Sequence, residues 1–235
     1  AKCAMYDWER GLGTCMNCNE VFQLHTFKRK GGNDKVYNKP KQIANPLLSD
    51  KVIKWFESRG ISNNTLIKMK ITEGKEFMPQ TGKEENTIQF NYFINNELIN
   101  IKYRDGKKNF KLVKGAEKVF YNIDSTIGHD YVVIVEGEID ALSFIDAGVH
   151  SVVSVPNGAT VTGTNLDYLD SCIDYFEGKE KIIIAVDKDE AGENLRQELI
   201  RRLGAEACYT VDFGDYKDAN EFLVANGGDM LARLI

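Results

Sequence analysis

The C-terminal half of the chain alternates apolar runs with amphipathic stretches, and this pattern predicts strands that alternate with helices. The predicted strands are 131–135, 151–155, 181–186 and 207–213, and the predicted helices are 139–147, 166–176, 191–203 and one from about 219. A near-continuous apolar run is typical of a strand buried in a parallel sheet, and this alternation implies right-handed crossovers. We therefore predict an α/β domain with a parallel sheet of about four strands.

Two short helices are predicted in the segment before this domain. Ser49 can cap a helix that runs through Phe56, and Gly60 would end it. Asn63 can begin a second helix through Leu66. Because a strand-like stretch follows, we predict a smaller α+β subdomain here.

The strand-like stretch of this subdomain runs from about 87 to 120. Turns are predicted at 95–96 and at 105–106, where Asp-Gly is a strong hairpin signal. Lys102 and Arg104 alternate with apolar residues, so we expect both basic side chains on one face of the sheet. Four aromatic residues are assigned to the core rather than to a stacking surface: Trp55, Tyr103, Phe110 and Tyr121.

The N-terminal segment is rich in metal-ligating side chains and poor in aliphatic ones. Cys15-Met-Asn-Cys18 is a knuckle of the kind found in zinc ribbons, and Cys3 and His25 could complete a three-Cys, one-His site for Zn²⁺. So small a segment needs a staple such as a metal. The residues after it are basic, contain glycine and show no periodicity, which is typical of a linker.

These patterns divide the chain into five segments. They are a partial zinc-ribbon-like segment (1–28), a basic linker (29–46), a basic α+β subdomain (47–125), an α/β domain (129–225) and a C-terminal tail (226–235). No membrane-spanning or secretory pattern is evident. Five cysteines, three of them before residue 20, do not suggest a disulfide framework, so we expect a reducing, intracellular setting.

Charge is unevenly distributed along the chain. The net charge of −5 would by itself argue against a nucleic-acid partner. Basic residues nevertheless concentrate in 28–41 and 100–118, whereas acidic residues concentrate in the C-terminal half. A basic half that faces an acidic, metal-loaded half suits a polyanionic substrate, although a run of charge is equally typical of a solvated surface.

Carboxylates follow two of the predicted strands at the point where each strand ends. Val-Ile-Val leads into Glu136, and Ile-Ile-Ile-Ala-Val leads into Asp187 and, two residues on, Asp189. Ligands of open α/β sheets gather at the carboxyl ends of strands, so these side chains should converge there. Two like charges about 4 Å apart repel by roughly 4 kcal/mol at an effective dielectric constant near 20, so the cluster needs a cation or a shared proton. Mg²⁺ prefers such oxygen ligands, which indicates metal-assisted phosphoryl transfer.

The C-terminal domain resembles the Toprim domain of bacterial-type primases, type IA and II topoisomerases and some nucleases, which implies a Rossmann-like fold. The residues that carry this resemblance are Glu136-Gly137-Glu138 after the first strand and Asp187-Lys188-Asp189 after the third, followed by Glu190-Ala191-Gly192.

From about residue 50 to 230, the chain is similar to the primase half of the bifunctional primase–helicases of short-tailed coliphages and their mitochondrial relatives. The motifs that carry the similarity are Arg59–Ser62, Lys102–Asp105, Lys108–Phe110, Glu136–Asp140, Asn157–Ala159 and Lys217–Glu221. The similarity implies synthesis of short RNA primers from ribonucleoside triphosphates on single-stranded DNA, with a replicative helicase in cis or in trans. It also implies a cytoplasmic location in a bacterium or a phage-infected host rather than a mitochondrial one.

The matched motifs also imply roles for single residues. The residues expected to hold Mg²⁺ or Mn²⁺, with two ions during catalysis, are Glu136, Asp187, Asp189 and Asp218. Glu136 could instead be the general base, and Glu138 and Asp140 could be first-turn acids that suit the helix dipole. The basic residues expected to take part in catalysis by holding nucleotide phosphates or the template backbone are Lys102, Arg104 and Lys108. Further expected contacts to nucleotide or DNA are Lys111, Asn157, Gly158 and Lys217.

Several alternatives stay open. The resembled primases carry two cysteine knuckles, and only one is complete here, so a truncated or degenerate ribbon is expected and zinc occupancy is undecided. Instead of a primase, the chain could be a Toprim nuclease, or a module that binds single-stranded DNA and has lost primer synthesis. No Walker-type Gly-x-x-x-x-Gly-Lys-Ser/Thr sequence is present, so no ATP-driven helicase motor is predicted in this chain.

Overall fold

The computed structural model of the protein describes the backbone of three N-terminal strands and residues 36–40, 47–160 and 166–235. The N-terminal strands form an antiparallel meander. They are β1 (Ala4–Asp7), β2 (Leu12–Cys15) and β3 (Val21–Gln23). They belong to one compact unit, Ala1–Val36, and a second unit comprises Tyr37–Ile235.

Three of the four predicted zinc ligands, Cys3, Cys18 and His25, lie outside the described residues. Cys15 is described only as part of the backbone of β2. The zinc site therefore stays a prediction.

The second unit begins with two short helices and a four-stranded antiparallel sheet. The helices are α1 (Asp50–Glu57) and α2 (Asn63–Lys68), and the strands, in spatial order, are β4 (Thr72–Met78), β5 (Lys83–Ile94), β6 (Glu97–Asp105) and β7 (Phe110–Leu112). Ser49 caps α1 by accepting a hydrogen bond from the Val52 amide, as predicted. Ser62 caps α2 in the same way, and Gly60 between the helices has a positive φ of 72°.

The tight turn between β5 and β6 is formed by Asn95 and Asn96. Their φ angles are both positive, 50° and 63°, as type I′ turns require and as asparagine tolerates. The register shifts by one residue between Phe93 and Tyr92, and beyond this shift Lys102 pairs with Phe90. Lys102 and Arg104 are separated by one residue on β6 and share one face of the sheet, as predicted.

Strand β4 and the start of β5 extend the sheet beyond the predicted strand-like stretch, which began at 87. Their sequences, Thr-Glu-Gly-Lys-Glu-Phe-Met and Lys-Glu-Glu-Asn, are mostly polar. β4 is an edge strand, and edge strands commonly carry charged side chains that oppose further pairing. The alternation of apolar residues is therefore weak where these strands begin.

The C-terminal part of the second unit is built on a four-stranded parallel sheet. Its strands, in chain order, are β8 (Tyr131–Val135), β9 (Val152–Ser154), β10 (Lys181–Ala185) and β11 (Cys208–Thr210). Their spatial order is β11-β10-β8-β9. The helices, in chain order, are α3 (Glu138–Asp146), α4 (Asp167–Cys172), α5 (Glu190–Leu203), α6 (Ala219–Asn226) and α7 (Gly228–Ala232). The predicted α/β class is confirmed, and no helix among the described residues is long and apolar enough to cross a membrane.

A continuous hydrophobic core joins the antiparallel and parallel sheets. Phe90 and Tyr92 of β5 are fully buried in the same cluster as the apolar residues of β8. The rings of Tyr92 and Tyr121 meet edge to face with centroids 5.2 Å apart. Tyr121 also forms an antiparallel bridge with Ser154 at the end of β9. These contacts hold the face of β6 that carries Lys102 against the carboxyl edge of the parallel sheet.

Candidate active site

Two acidic side chains follow the adjacent central strands of the parallel sheet. Glu136 comes directly after β8, and Asp187 comes two residues after β10. The negative charge of Asp187 acts on Glu136, as expected for acids that meet at one edge. Gly192 permits close packing there, because a Cβ atom at this position would lie 2.1 Å from the Asp187 carbonyl oxygen.

The other two predicted metal ligands are helix caps. Asp189 Oδ1 accepts a hydrogen bond from the Gly192 amide at the start of α5 (3.0 Å), and Asp218 Oδ1 accepts one from the Glu221 amide at the start of α6 (2.8 Å). The Gly192 hydrogen bond contributes most to lowering the pKa of Asp189. Each cap uses one carboxylate oxygen and leaves the other for a further partner.

Lys217 lies between Asp187 and Asp189. Its Nζ atom is 3.1 Å from Oδ2 of each aspartate. Hydrogen bonds to Asp189 and Asp187 raise the pKa of Lys217. The ammonium group therefore acts as the counter-ion of this aspartate pair.

The two carboxylate oxygens of Glu136 have different surroundings. Oε1 accepts a hydrogen bond from the Ala159 amide at 3.1 Å. Oε2 is buried and, within the described part of the chain, has no hydrogen-bond partner. Burial, and after it the charge of Asp187, raises the pKa of Glu136 to about 7.

This donor set fits a divalent cation. The orphaned Glu136 Oε2 and the two aspartates are hard oxygen donors, and one lysine neutralises only part of their charge. Among the described residues, no three acidic, Cys or His side chains are already grouped around one metal position. An incoming cation would compete with Lys217 for Asp187 and Asp189.

Two further acids of the same motif are buried next to this edge. Glu138 Oε1 accepts hydrogen bonds from Lys102 Nζ at 2.8 Å and from the Tyr92 hydroxyl. Asp140 Oδ1 accepts one from the Asn220 amide at 3.1 Å. Burial, followed by the charges of Asp218 and Asp187, raises the pKa of Asp140 well above its usual range.

The predicted basic residues differ in where they lie. Lys102 and Arg104 are buried, 7% and 9% exposed, and Lys102 forms an ion pair with Glu138. Lys108 is exposed in the turn between β6 and β7, with a positive φ of 62°. Lys111 pairs with Tyr103 across β6 and β7, on the face opposite Lys102, and its Nζ contacts Glu76 at 2.6 Å.

The loop after β9 packs against the acidic edge. Its Ala159 amide donates a hydrogen bond to Glu136 Oε1. Gly158 has a positive φ of 65°, and a Cβ atom there would lie 3.8 Å from Glu136 Oε1. Asn157 is exposed. The loop supports Glu136 as well as lining the site.

Sequence reasoning did not assign three residues near the site to it. Arg59 and Asn220 were given no role, and Trp55 was predicted to be a core residue. Arg59 Nη1 donates to Asn220 Oδ1 at 2.9 Å, and Asn220 Nδ2 donates to the Arg59 carbonyl at 2.9 Å. Trp55, predicted to be core, is only partly buried and contacts both Arg59 and Arg104. Arg59 and Asn220 both belong to motifs that carry the family resemblance, and this membership could have pointed to them. Nothing in the sequence around Trp55 pointed to a role in the site.

Comparisons with known proteins show what the chain is similar to. A family model described as Toprim-like matches residues 133–223. The chain is 34% identical over 205 residues to the primase homolog protein of Arabidopsis thaliana, covering 80% of this chain and 59% of that protein. It is 33% identical over 205 residues to the Twinkle homolog protein, chloroplastic/mitochondrial, of the same plant, covering 80% and 28%. It is 32% identical over 131 residues to the DNA helicase/primase of enterobacteria phage T3, covering 54% and 22%. The chain thus spans less than two thirds of each relative.

Solved structures show the same fold. The primase fragment of the bacteriophage T7 primase–helicase superimposes with a TM-score of 0.63 at 24% identity, covering 98% of this chain and 92% of the fragment. A T7 complex containing primase domains bound to an RNA/DNA hybrid and dTTP matches with a TM-score of 0.61 at 27% identity, covering 75% and 87%. Residues 133–223 therefore form a Toprim domain, and the chain is a homologue of the primase–helicases of phages T7 and T3.

Proposed function

We propose that the chain is a DNA primase, which uses divalent metal to polymerise ribonucleoside triphosphates into short RNA primers on single-stranded DNA. The observation that carries this proposal is the contact between the acidic edge and the basic strand. Lys102 of β6 reaches Glu138, two residues after Glu136, at 2.8 Å. Acids suited to metal and cations suited to phosphate therefore belong to one site.

Glu136, Asp187 and Asp189 would hold the metal. When bound, two Mg²⁺ or Mn²⁺ ions would neutralise the triphosphate and favour deprotonation of the attacking 3′-hydroxyl. Glu136 Oε2 has no donor to satisfy it within the described residues, and a pKa of about 7 suits proton transfer at neutral pH. Glu136 can thus serve as a ligand or as the base. Asp218, which caps α6 through Oδ1, would be a further ligand through its other oxygen.

The basic side chains would bind the polyanionic substrates. Arg104 offers a planar fork that matches phosphate oxygens, and Lys102, fixed by Glu138, offers a point charge. Lys108 and Asn157 are exposed and available to the template or nucleotide. Lys217 becomes available to phosphate once a cation takes its place between the aspartates. Lys111 and Gly158 remain proposed contacts, and Lys111 would reach only a strand on the outer face of the sheet.

The proposed partners follow from the relatives. The T3 relative is named a helicase/primase, so we propose that a replicative helicase acts with this chain, in cis or in trans. Single-stranded DNA is the proposed template. We propose the cytoplasm as the compartment. The alternative is a chloroplast or mitochondrion, because the name of one plant relative gives these locations.

A product assay tests the proposal. The protein is incubated with single-stranded DNA, labelled ribonucleoside triphosphates and Mn²⁺. Short oligoribonucleotides support a primase, shortened DNA indicates a nuclease, and a gel shift without product indicates a binding module. Glu136→Gln should abolish the oligoribonucleotides while the thermal unfolding midpoint shows a folded protein. Undiminished synthesis by this variant would remove Glu136 from the mechanism.

A further inference from the structure

Trp55 contacts two arginine side chains at once. Its ring centroid lies 4.6 Å from Cζ of Arg59 and 4.7 Å from Cζ of Arg104. Trp55 lies on α1, Arg59 follows that helix, and Arg104 is on β6. The indole therefore links the first helix of the subdomain to its basic strand.

The charge of Asp105 acts on Arg104, but the Asp105 carboxylate is hydrogen-bonded to Lys107 and Asn109 instead. In the part of the chain that the structure describes, neither Arg59 nor Arg104 forms an ion pair with a carboxylate. Arg59 Nε is buried there without a hydrogen-bond partner. Burial, followed by the charge of Arg59, lowers the pKa of Arg104. Two guanidinium groups that repel each other, and that form no ion pair among the described residues, favour an anion.

The arginine pair is fixed beside the acidic edge. Asn220 accepts a hydrogen bond from Arg59 Nη1 and donates one to the Arg59 carbonyl, both 2.9 Å long. The backbone amide of Asn220 in turn donates a hydrogen bond to Asp140, and the charges of Asp218 and Asp187 act on Asp140. An anion on the arginines would therefore lie close to the proposed metal site.

We infer that Trp55 is a positioning residue, whose indole ring holds the guanidinium groups of Arg59 and Arg104 in place to bind a polyphosphate. A cation near an aromatic face is stabilised by the ring, most strongly by tryptophan. The ring thus offsets part of the repulsion between the arginines before a ligand arrives. The identification of the natural ligand as a nucleoside triphosphate rests on the proposed function. The prediction that inorganic triphosphate binds does not.

Titration calorimetry with inorganic triphosphate, without divalent metal, tests this inference on the full chain. Trp55→Leu removes the ring and keeps an apolar side chain, and we expect about five- to tenfold weaker binding. Trp55→Phe should restore most of the affinity, since it keeps an aromatic face. Tyr209→Leu removes an exposed ring on β11 and should leave the affinity unchanged.

A double-mutant comparison separates positioning from a general effect on the fold. In an Arg59→Gln, Arg104→Gln background, Trp55→Leu should cause no further loss of triphosphate affinity. An equal fractional loss in both backgrounds, or unchanged affinity in Trp55→Leu itself, would overturn the inference. If Trp55→Leu does not fold, Trp55→Met, which also removes the ring and keeps an apolar side chain, is compared in the two backgrounds instead. Failure of the wild-type protein to make primers would count against the proposed function and leave this titration informative.

Discussion

Glu136 is a residue whose protonation responds to the geometry of the site. Its Oε1 atom accepts a hydrogen bond from the Ala159 amide, and its Oε2 atom is buried without a hydrogen-bond partner among the described residues. The neighbouring Asp187 adds a negative charge, and Lys217 holds Asp187 and Asp189 together. These contacts give two predictions that concern single side chains.

Glu136→Gln should stabilise the metal-free protein at alkaline pH. The pKa of Glu136 is raised in the folded protein from 4.5 to about 7. Between these values the unfolded chain ionises first, so the wild type loses stability as the pH rises through this window. Glutamine stays neutral and still accepts the Ala159 amide. Near pH 4.5 we expect the variant and the wild type to have equal free energies of unfolding. At pH 8 the variant should be more stable by about 1–2 kcal/mol, a figure reduced to allow for the partial exposure of Glu136. Urea unfolding in the presence of EDTA measures this difference.

Glu177→Gln is the matched control, because it removes the same charge from an exposed position. A gain at pH 8 that is the same in both variants, or absent from Glu136→Gln, would contradict the described environment of Glu136. Adding Mn²⁺ should reverse the order of stability, because the metal would bind the wild-type carboxylate and favour the native state.

Lys217→Gln should strengthen the binding of Mn²⁺. The ammonium group lies 3.1 Å from one oxygen of both Asp187 and Asp189, so its removal leaves these ligands free. We expect the variant to bind Mn²⁺ at least about fivefold more tightly than the wild type. A titration followed by electron paramagnetic resonance measures this affinity. Lys188→Gln removes the same charge from a neighbour that pairs with Asp212 instead. Equal affinities in the two variants would show that Lys217 does not compete with metal.

At the scale of elements, the helices are tied together by side-chain caps. Asp146, the last residue of α3, accepts hydrogen bonds from the Ser62 amide (2.8 Å), the Ser62 hydroxyl (2.6 Å) and the Thr65 hydroxyl (2.6 Å). The beginning of α2 is therefore capped both by its own serine and by the parallel-sheet domain. Such charge-assisted hydrogen bonds stabilise more than neutral ones.

Asp146→Ala should destabilise the protein by about 1–3 kcal/mol, because several donors of α2 lose one shared acceptor. Urea unfolding measures this difference. Asp130→Ala, an exposed acid before β8, should change the stability by no more than about 0.5 kcal/mol. If both variants had the same stability, the cap would not contribute to the folded state.

The sequence predicted the elements well where apolar residues alternate clearly, and less well elsewhere. The strands β8 and β10 were predicted closely because their runs are continuous and buried. β4 was missed because it is polar, and 207–213 was predicted too long because β11 is a short edge strand with exposed residues. The Asp146 contacts could not be predicted, since they join residues more than 80 positions apart.

The same distinction holds for the candidate site. Strand ends indicated Glu136 and Asp187, because a parallel sheet places its carboxyl ends at one edge. The counter-ion role of Lys217 and the burial of Lys102 against Glu138 depend on how separate segments pack. Trp55 matched the pattern of a core residue, and only the structure shows its two arginine contacts.

At the largest scale, one hydrophobic core holds two sheets whose site residues carry opposite charges. The antiparallel sheet presents Lys102 and Arg104, and the parallel sheet presents Glu136 and Asp187. This shared core fixes the basic strand relative to the acidic edge, which a flexible connection would not do. The same fold is found in the T7 primase fragment. Our central claim is that the two surfaces act together on nucleotides and metal.

Comparing RNA synthesis by the wild type and by Asp187→Asn tests this claim most directly. The variant keeps the shape of the side chain but loses the charge that faces Glu136 and Lys217. On single-stranded DNA with ribonucleoside triphosphates and Mn²⁺, the wild type should make short oligoribonucleotides. The variant, shown to be folded by its thermal unfolding, should make at least about a hundredfold less. Equal synthesis by both proteins, or none by either, would contradict the account.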